Sequence, residues 1–192
     1  MARTPSTMLD LGTHLPPFEL IEPLTGKAVG SVAFAGKPLL VAFICNHCPF
    51  VLHIHDAFVA FAREYGDKGL GVVAINSNDV TSHPDDAPDK MAAVAAEKGY
   101  PFPYLFDATQ AVAKAYRAAC TPDFFLFDGE GKLVYRGQFD GARPGNDAPN
   151  DGADLRAATD AVLASKAPAS DQRPSLGCNI KWMPGNEPDY YG

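Results

Sequence analysis

The run Leu39-Leu40-Val41-Ala42-Phe43-Ile44 leads without a break into Cys45-Asn46-His47-Cys48 and then Pro49. Six consecutive apolar residues predict a central strand covered on both faces. From Pro49 the pattern changes period, and Phe50, Ile54, Phe58 and Phe61 form an apolar stripe at helical spacing. A buried strand that ends in C-x-x-C at the start of a helix constrains fold and chemistry together. The strand fixes the first sulfur at the end of a sheet. The helix turns its unpaired N–H groups and positive dipole end toward the thiols, which stabilises a thiolate.

The rest of the chain fits an α/β domain. Phe18 to about Phe34 reads as a short hairpin around the turn Pro23-Leu24-Thr25-Gly26-Lys27, after a loose lead-in over residues 1–16. Leu70 to Asn76 is a second buried strand, and strand–helix–strand with this crossover predicts a parallel pair. Asn78 to Pro88 reads as a polar loop, Asp89 to Lys98 as a helix stopped by Gly99, Phe102 to Phe106 as a short edge strand, and Ala108 to Ala118 as a further helix. Phe124 to Phe127 and Lys132 to Gly137 flank Asp128-Gly129-Glu130-Gly131, a hairpin signal. Asp151 is expected to cap a last helix over 153–166. The organisation expected is one domain over 1–166 and an irregular tail, 167–192, docked through Ile180 and Trp182.

Bulk composition narrows the function classes. A chain of 192 residues that is 46% hydrophobic can build a real core. A net charge of −7 with no basic stripe argues against nucleic acid as a partner. No apolar run approaches the ~20 residues that span a bilayer, and no secretory leader is evident, so no membrane partner and a cytoplasmic location are expected. Four cysteines in that compartment point to catalysis or metal binding rather than structural disulfides. No glycine-rich phosphate loop is present, so no organic cofactor is expected.

The order hairpin, strand, C-x-x-C, helix, strand, helix, hairpin, helix resembles the thioredoxin-like superfamily, in particular its redoxin branch. That branch includes peroxiredoxins and thiol-disulfide oxidoreductases. The resemblance covers roughly residues 10–166 and rests on Gly36-Lys37-Pro38 before the strand, on the C-x-x-C, and on Thr121-Pro122-Asp123-Phe124-Phe125-Leu126-Phe127-Asp128. It implies a thioredoxin-like mixed sheet with helices on both faces. It also implies a cis Pro122 beside the cysteines, exposing the Thr121 backbone for strand-like pairing with a substrate. The peroxiredoxin signature is incomplete. At the two upstream positions where that family carries Pro and Thr or Ser, Cys48 has Val41 and Cys45, while Cys45 has Pro38 but Ala42. The peroxide-binding arginine falls about where Pro122 stands. Cys48-Pro49 nonetheless resembles the peroxidatic Cys-Pro, and Pro suits the first helical position, which makes Cys48 the N-cap.

The candidate site is therefore Cys45 and Cys48 as a redox pair, with His47, Pro122 and Cys178 as further catalytic candidates and Thr121 and Asn46 in substrate binding. The resemblance to thioredoxin makes Cys45 the attacking sulfur and Cys48 the resolving one, whereas the helix N-terminus favours Cys48. His47 either stabilises the thiolate, as in strongly oxidising disulfide catalysts, or is an exposed helix-start residue. Cys178, in a segment where packing demands no cysteine, is either a resolving thiol brought in by a mobile tail or incidental. Cys120 reads first as a small buried hydrophobe. The expected reaction is thiol–disulfide exchange with a protein or small-molecule disulfide, with electrons from a reductase or a low-molecular-weight thiol. A peroxide substrate of a thiol peroxidase is the alternative. A third reading is half of a zinc or copper site, completed from His47, His53, His55, Cys120 or Cys178, although no metal is expected.

Overall fold

The structure, a computed structural model, describes residues 3–191. Its elements run β1 (Thr4–Pro5), β2 (Glu19–Ile21), β3 (Ala28–Gly30), β4 (Leu39–Phe43), α1 (Pro49–Asp67), β5 (Gly71–Asn76), α2 (Pro88–Lys98), β6 (Tyr104–Phe106), α3 (Ala111–Ala115), β7 (Cys120–Thr121), β8 (Asp123–Phe127), β9 (Leu133–Gly137), α4 (Ala153–Leu163) and β10 (Leu176–Asn179). Two short 3₁₀ turns, Ser31–Phe34 and Pro84–Asp86, lie between them.

Seven strands form one mixed sheet in the order β3-β2-β6-β5-β4-β8-β9. The β4–β5 pair is parallel, from Leu39 opposite Gly71 to Phe43 opposite Ile75, and β4–β8 is antiparallel, from Leu39 opposite Phe127 to Phe43 opposite Asp123. All five β4 side chains are buried. Alternation sends them to two cores. Leu40 and Ala42 join Val51, Ile54, Phe58 and Phe61 of α1, Met91 of α2 and Leu155 of α4. Leu39, Val41 and Phe43 face Ala113 of α3, Tyr116, Ile180 and Trp182. Helices thus cover both faces, the expected thioredoxin-like mixed sheet. Each fully buried Leu or Phe contributes about 1.5–3 kcal/mol, so these two cores, not local propensity, hold the strand that carries the cysteines.

Several elements differ from expectation. β6 is no edge strand: Ile21 of the hairpin pairs with Phe106 on its outer side and β5 lies on the other. The expected helix from Ala108 to Ala118 contracts to α3 because Gln110 and Arg117 both take positive φ, and Gln110 turns its side chain to Ser77 O and Lys181 O. Asp151 stands one residue before the N-cap, Gly152, and accepts the Ala153 N–H at 3.0 Å. α2 ends as expected, with Gly99 in the left-handed conformation.

The larger correction concerns the two ends of the chain. The lead-in contributes β1, and the segment read as an irregular tail contributes β10. With β7 they form a second, three-stranded antiparallel sheet in the order β1-β10-β7. Thr4 lies opposite Gly177, Cys178 opposite Thr121, and Asn179 opposite Cys120. Strands of two to four residues carry too few positions for any alternation to show, which is why the sequence reads as loop there.

Candidate functional site

Ile44 N–H still bonds Ile75 O, at 3.0 Å, so the sheet holds the chain up to the residue before Cys45. Cys48 is the N-cap of α1 with extended backbone, Pro49 occupies the first helical turn, and Leu52 N–H bonds Cys48 O at 2.9 Å. Both cysteines are buried, at 2% and 0% exposure. The Thr121–Pro122 peptide bond is cis, as the resemblance implied. Thr121 lies against both sulfurs. Its Oγ1 is 3.4 Å from Cys45 Sγ, and its carbonyl oxygen is 3.1 Å from Cys48 Sγ.

The electrostatics separate the thiols. Cys48 is lowered to about 4: the Cys45 thiol bonding to it is the largest cause, with Thr121, the helix N–H of Val51 and the Cys178 thiol adding, against burial, which raises it. Cys45 is pushed well above the usual thiol range by the hydrogen bond its S–H donates to Cys48, by burial and by the charge of Asp86. Cys178 is pushed up to about 12 by burial first and then by its bond to Cys48. These shifts favour the charged form at Cys48 and the protonated form at Cys45, which precedes it in the C-x-x-C, and at Cys178 from β10. The Thr121 carbonyl, which can accept the Cys48 S–H, and burial favour the Cys48 thiol. Cys120 is raised by burial first, then by Asp123 and by Cys48 and Cys178, and its Sγ lies 3.6 Å from Pro122 O.

β10 reaches the site as part of a sheet, not as a mobile arm. Gly177 is required there, because a Cβ on it would collide with the Thr121 carbonyl. The Thr121 backbone, expected to stand open, is paired with Cys178.

The remaining predicted residues fall into place around a carboxylate that sequence reasoning missed. Asp86 is fully buried and accepts the Asn46 N–H at 2.8 Å and the Asn78 side-chain amide at 2.8 Å, and His47 Nδ1 lies 2.7 Å from its Oδ2. The His47 ring stacks on His83 at 5.0 Å. Asn46 is itself clamped, donating to Asp85 O at 2.9 Å and accepting from Tyr104 Oη at 3.1 Å. His55 is held away by Asp56 and Tyr100. Among the described residues, donor atoms of Cys45, His47 and Asp86 lie within 4.8 Å of one another, which makes these three the group able to approach a metal ion. The fourth ligand of a tetrahedral site is not supplied by His53, His55, Cys120 or Cys178, which do not join that group. A signal for Asp86 existed only indirectly. Asn76 ends β5, and Ser77, Asn78 and Asp79 follow it, at the end of the sheet that carries Cys45, and their burial is what a polar active-site floor requires.

A thioredoxin-like sheet with a cysteine at a helix N-cap defines a thiol-redox protein of the redoxin branch. The Redoxin family model matches residues 10–154, and the chain belongs to that family. It is similar to an uncharacterized conserved protein from Geobacillus kaustophilus, with 49% identity over 96% of this chain and 98% of that one and a TM-score of 0.94. A hypothetical protein from Sinorhizobium meliloti is 52% identical over 95% and 100%, with a TM-score of 0.92. A thioredoxin-family thiol:disulfide interchange protein from Chlorobium tepidum shares the fold, at 18% identity over 80% and 98% and a TM-score of 0.62. No curated protein matches. No helix among the described residues is long and apolar enough to cross a membrane.

Proposed function

We propose that this protein is a thiol-disulfide oxidoreductase whose thiolate is Cys48 and whose first partner is Cys45. The observation that carries the reading is the position of Cys48 at the N-cap of α1, with both sulfurs of the C-x-x-C against Thr121 beside the cis Pro122, and the lowered Cys48 agrees with it. The assignment departs from the thioredoxin analogy, which favours Cys45 as the attacking sulfur. The Cys48 thiolate attacks one sulfur of a disulfide, forming a mixed disulfide and releasing one thiol. The Cys45 sulfur, its proton passing to solvent, then attacks Cys48 and releases the second thiol. Two electrons leave the dithiol and the Cys45–Cys48 disulfide remains, to be reduced by a reductase or a small thiol. Cys178 is the alternative resolving sulfur. Asp86, through Asn46 and His47, positions the C-x-x-C turn and, by its negative charge, helps to keep the proton on Cys45.

A second reading is favoured by one feature, the buried thiolate at an N-cap followed by Pro49. There Cys48 attacks a peroxide, losing water to leave a sulfenic acid, and Cys45 or Cys178 displaces a second water. One experiment tests both. Fully reduced protein is mixed with one equivalent of a disulfide or of hydrogen peroxide, quenched in acid, alkylated and mapped by mass spectrometry. The first reading predicts rapid Cys45–Cys48 disulfide from the disulfide donor, slow reaction with peroxide, and neither in Cys48→Ser. Fast peroxide consumption dependent on Cys48 would replace it with the second.

A further inference from the structure

We infer that the disulfide this enzyme exchanges is a low-molecular-weight one, because the position where a polypeptide substrate would dock is filled by the protein's own β10. The inference rests on the exchange reading above and names its substrate class.

A polypeptide disulfide reaches a thiol at a sheet end by adding a strand to the free backbone edge beside it. Here that edge is β7, and Cys178 and Asn179 already pair with Thr121 and Cys120. The far side of β10 is not open either, since Thr4 and Pro5 pair with Gly177 and Leu176, and Ser6 N–H bonds Ser175 O at 2.9 Å. Beyond β10 the chain is pinned to the floor of the site. Ile180 N–H bonds Ala119 O at 3.1 Å, Asp79 N–H bonds Lys181 O at 2.7 Å, and Lys181 N–H bonds Asn78 Oδ1 at 2.8 Å. Ile180 and Trp182 are buried in the core under β4. A strand held on both edges and by two buried anchors does not yield to a passing peptide.

Access remains from the opposite side. Cys45 lines a pocket of about 250 Å³ whose walls are both apolar, from Val51, Leu52 and Val94, and polar, from Asn46, His55 and Asp56. A water in bulk takes about 30 Å³, so this space is larger than a peroxide needs and has room for a small disulfide. In the step proposed, the small disulfide is admitted beside Cys45, a thiolate of the C-x-x-C attacks one of its sulfurs and one small thiol leaves, and closure of Cys45–Cys48 releases the other.

The test is the single-turnover rate of Cys45–Cys48 disulfide formation in the full-length reduced protein, with bis(2-hydroxyethyl) disulfide and with insulin as the two donors. The expected result is a rate with the small disulfide at least about 100-fold above that with insulin, the size of penalty that misplacement of a reacting group carries. Gly177→Val, which forces β10 off the Thr121 carbonyl, is expected to raise the ratio of the insulin rate to the small-disulfide rate severalfold. Trp182→Ala, which removes the anchor instead, serves the same purpose if the first variant does not fold. An insulin rate in the wild-type protein equal to or above that of the small disulfide overturns the inference and leaves the exchange reading standing. Failure of both donors to form the Cys45–Cys48 disulfide overturns the exchange reading and the inference with it.

Discussion

The seven-stranded and three-stranded sheets meet at Thr121, and they are built on opposite principles. The larger sheet is apolar on both faces and runs through two cores, with the β4 and β5 side chains almost wholly buried. The smaller sheet joins segments from the two ends of the chain through a handful of backbone hydrogen bonds, and its residues are glycine, threonine, proline, asparagine and cysteine as much as apolar. The first supplies a rigid platform that presents Cys45 and Cys48. The second supplies Cys178 and closes the backbone edge beside them. Stability and access are thereby assigned to different parts of one fold, a division that solved the problem of holding a reactive thiolate in a buried position.

This contrast can be broken first through stability. Phe43→Ala in β4 removes a ring packed edge-on against Tyr116 and Phe125. It is expected to cost about 3–5 kcal/mol in denaturant unfolding. Cys178→Ala in β10 is expected to stay within about 1 kcal/mol of the parent. Equal losses from the two would show that the smaller sheet is as integral to folding as the larger.

A second effect sits at the junction. Asp123 pairs with Phe43 in the β4–β8 ladder, is fully buried, and has its carboxyl pushed up to about 7 by that burial. A carboxyl raised above its unfolded value keeps its proton in the native state. Its favourable contribution is complete below the unfolded value, near 4, and is lost as pH rises through about 7. Unfolding free energy should therefore decline across that window, and Asp123→Asn should flatten the decline when urea midpoints are compared at several pH values. An unchanged profile would remove Asp123 from the junction's energetics.

The same contrast explains what was legible beforehand. Leu39 to Ile44, Leu70 to Asn76 and the Asp128-Gly129-Glu130-Gly131 hairpin state their structure locally, through apolar runs and turn residues, so the larger sheet and its α1 crossover follow from the sequence. The Cys45 and Cys48 pair follows for the same reason, since the motif abuts the strand that positions it. β10 does not follow. Leu176-Gly177-Cys178-Asn179 has no alternation, and its partners lie far away in sequence, at Thr4 and Thr121. The occupied Thr121 edge, and with it the position of Cys178, is a tertiary fact. Asp86 was hidden differently: it sits in a proline-bearing polar stretch whose composition reads as a solvated loop, yet its carboxylate is fully buried because Asn46, Asn78 and His47 supply its partners.

The smallest expected effect sharpens the link between the sheets. Removing the Cys178 donor should raise the Cys48 midpoint by about one pH unit, the worth of one hydrogen bond to a charged group. The central claim itself is tested by the ultraviolet thiolate absorbance of the reduced protein as a function of pH. The account predicts one thiolate with a midpoint near 4 that is absent in Cys48→Ser and present in Cys45→Ser with a higher midpoint. A protein with no thiolate below neutral pH, or one whose thiolate survives Cys48→Ser, would contradict it.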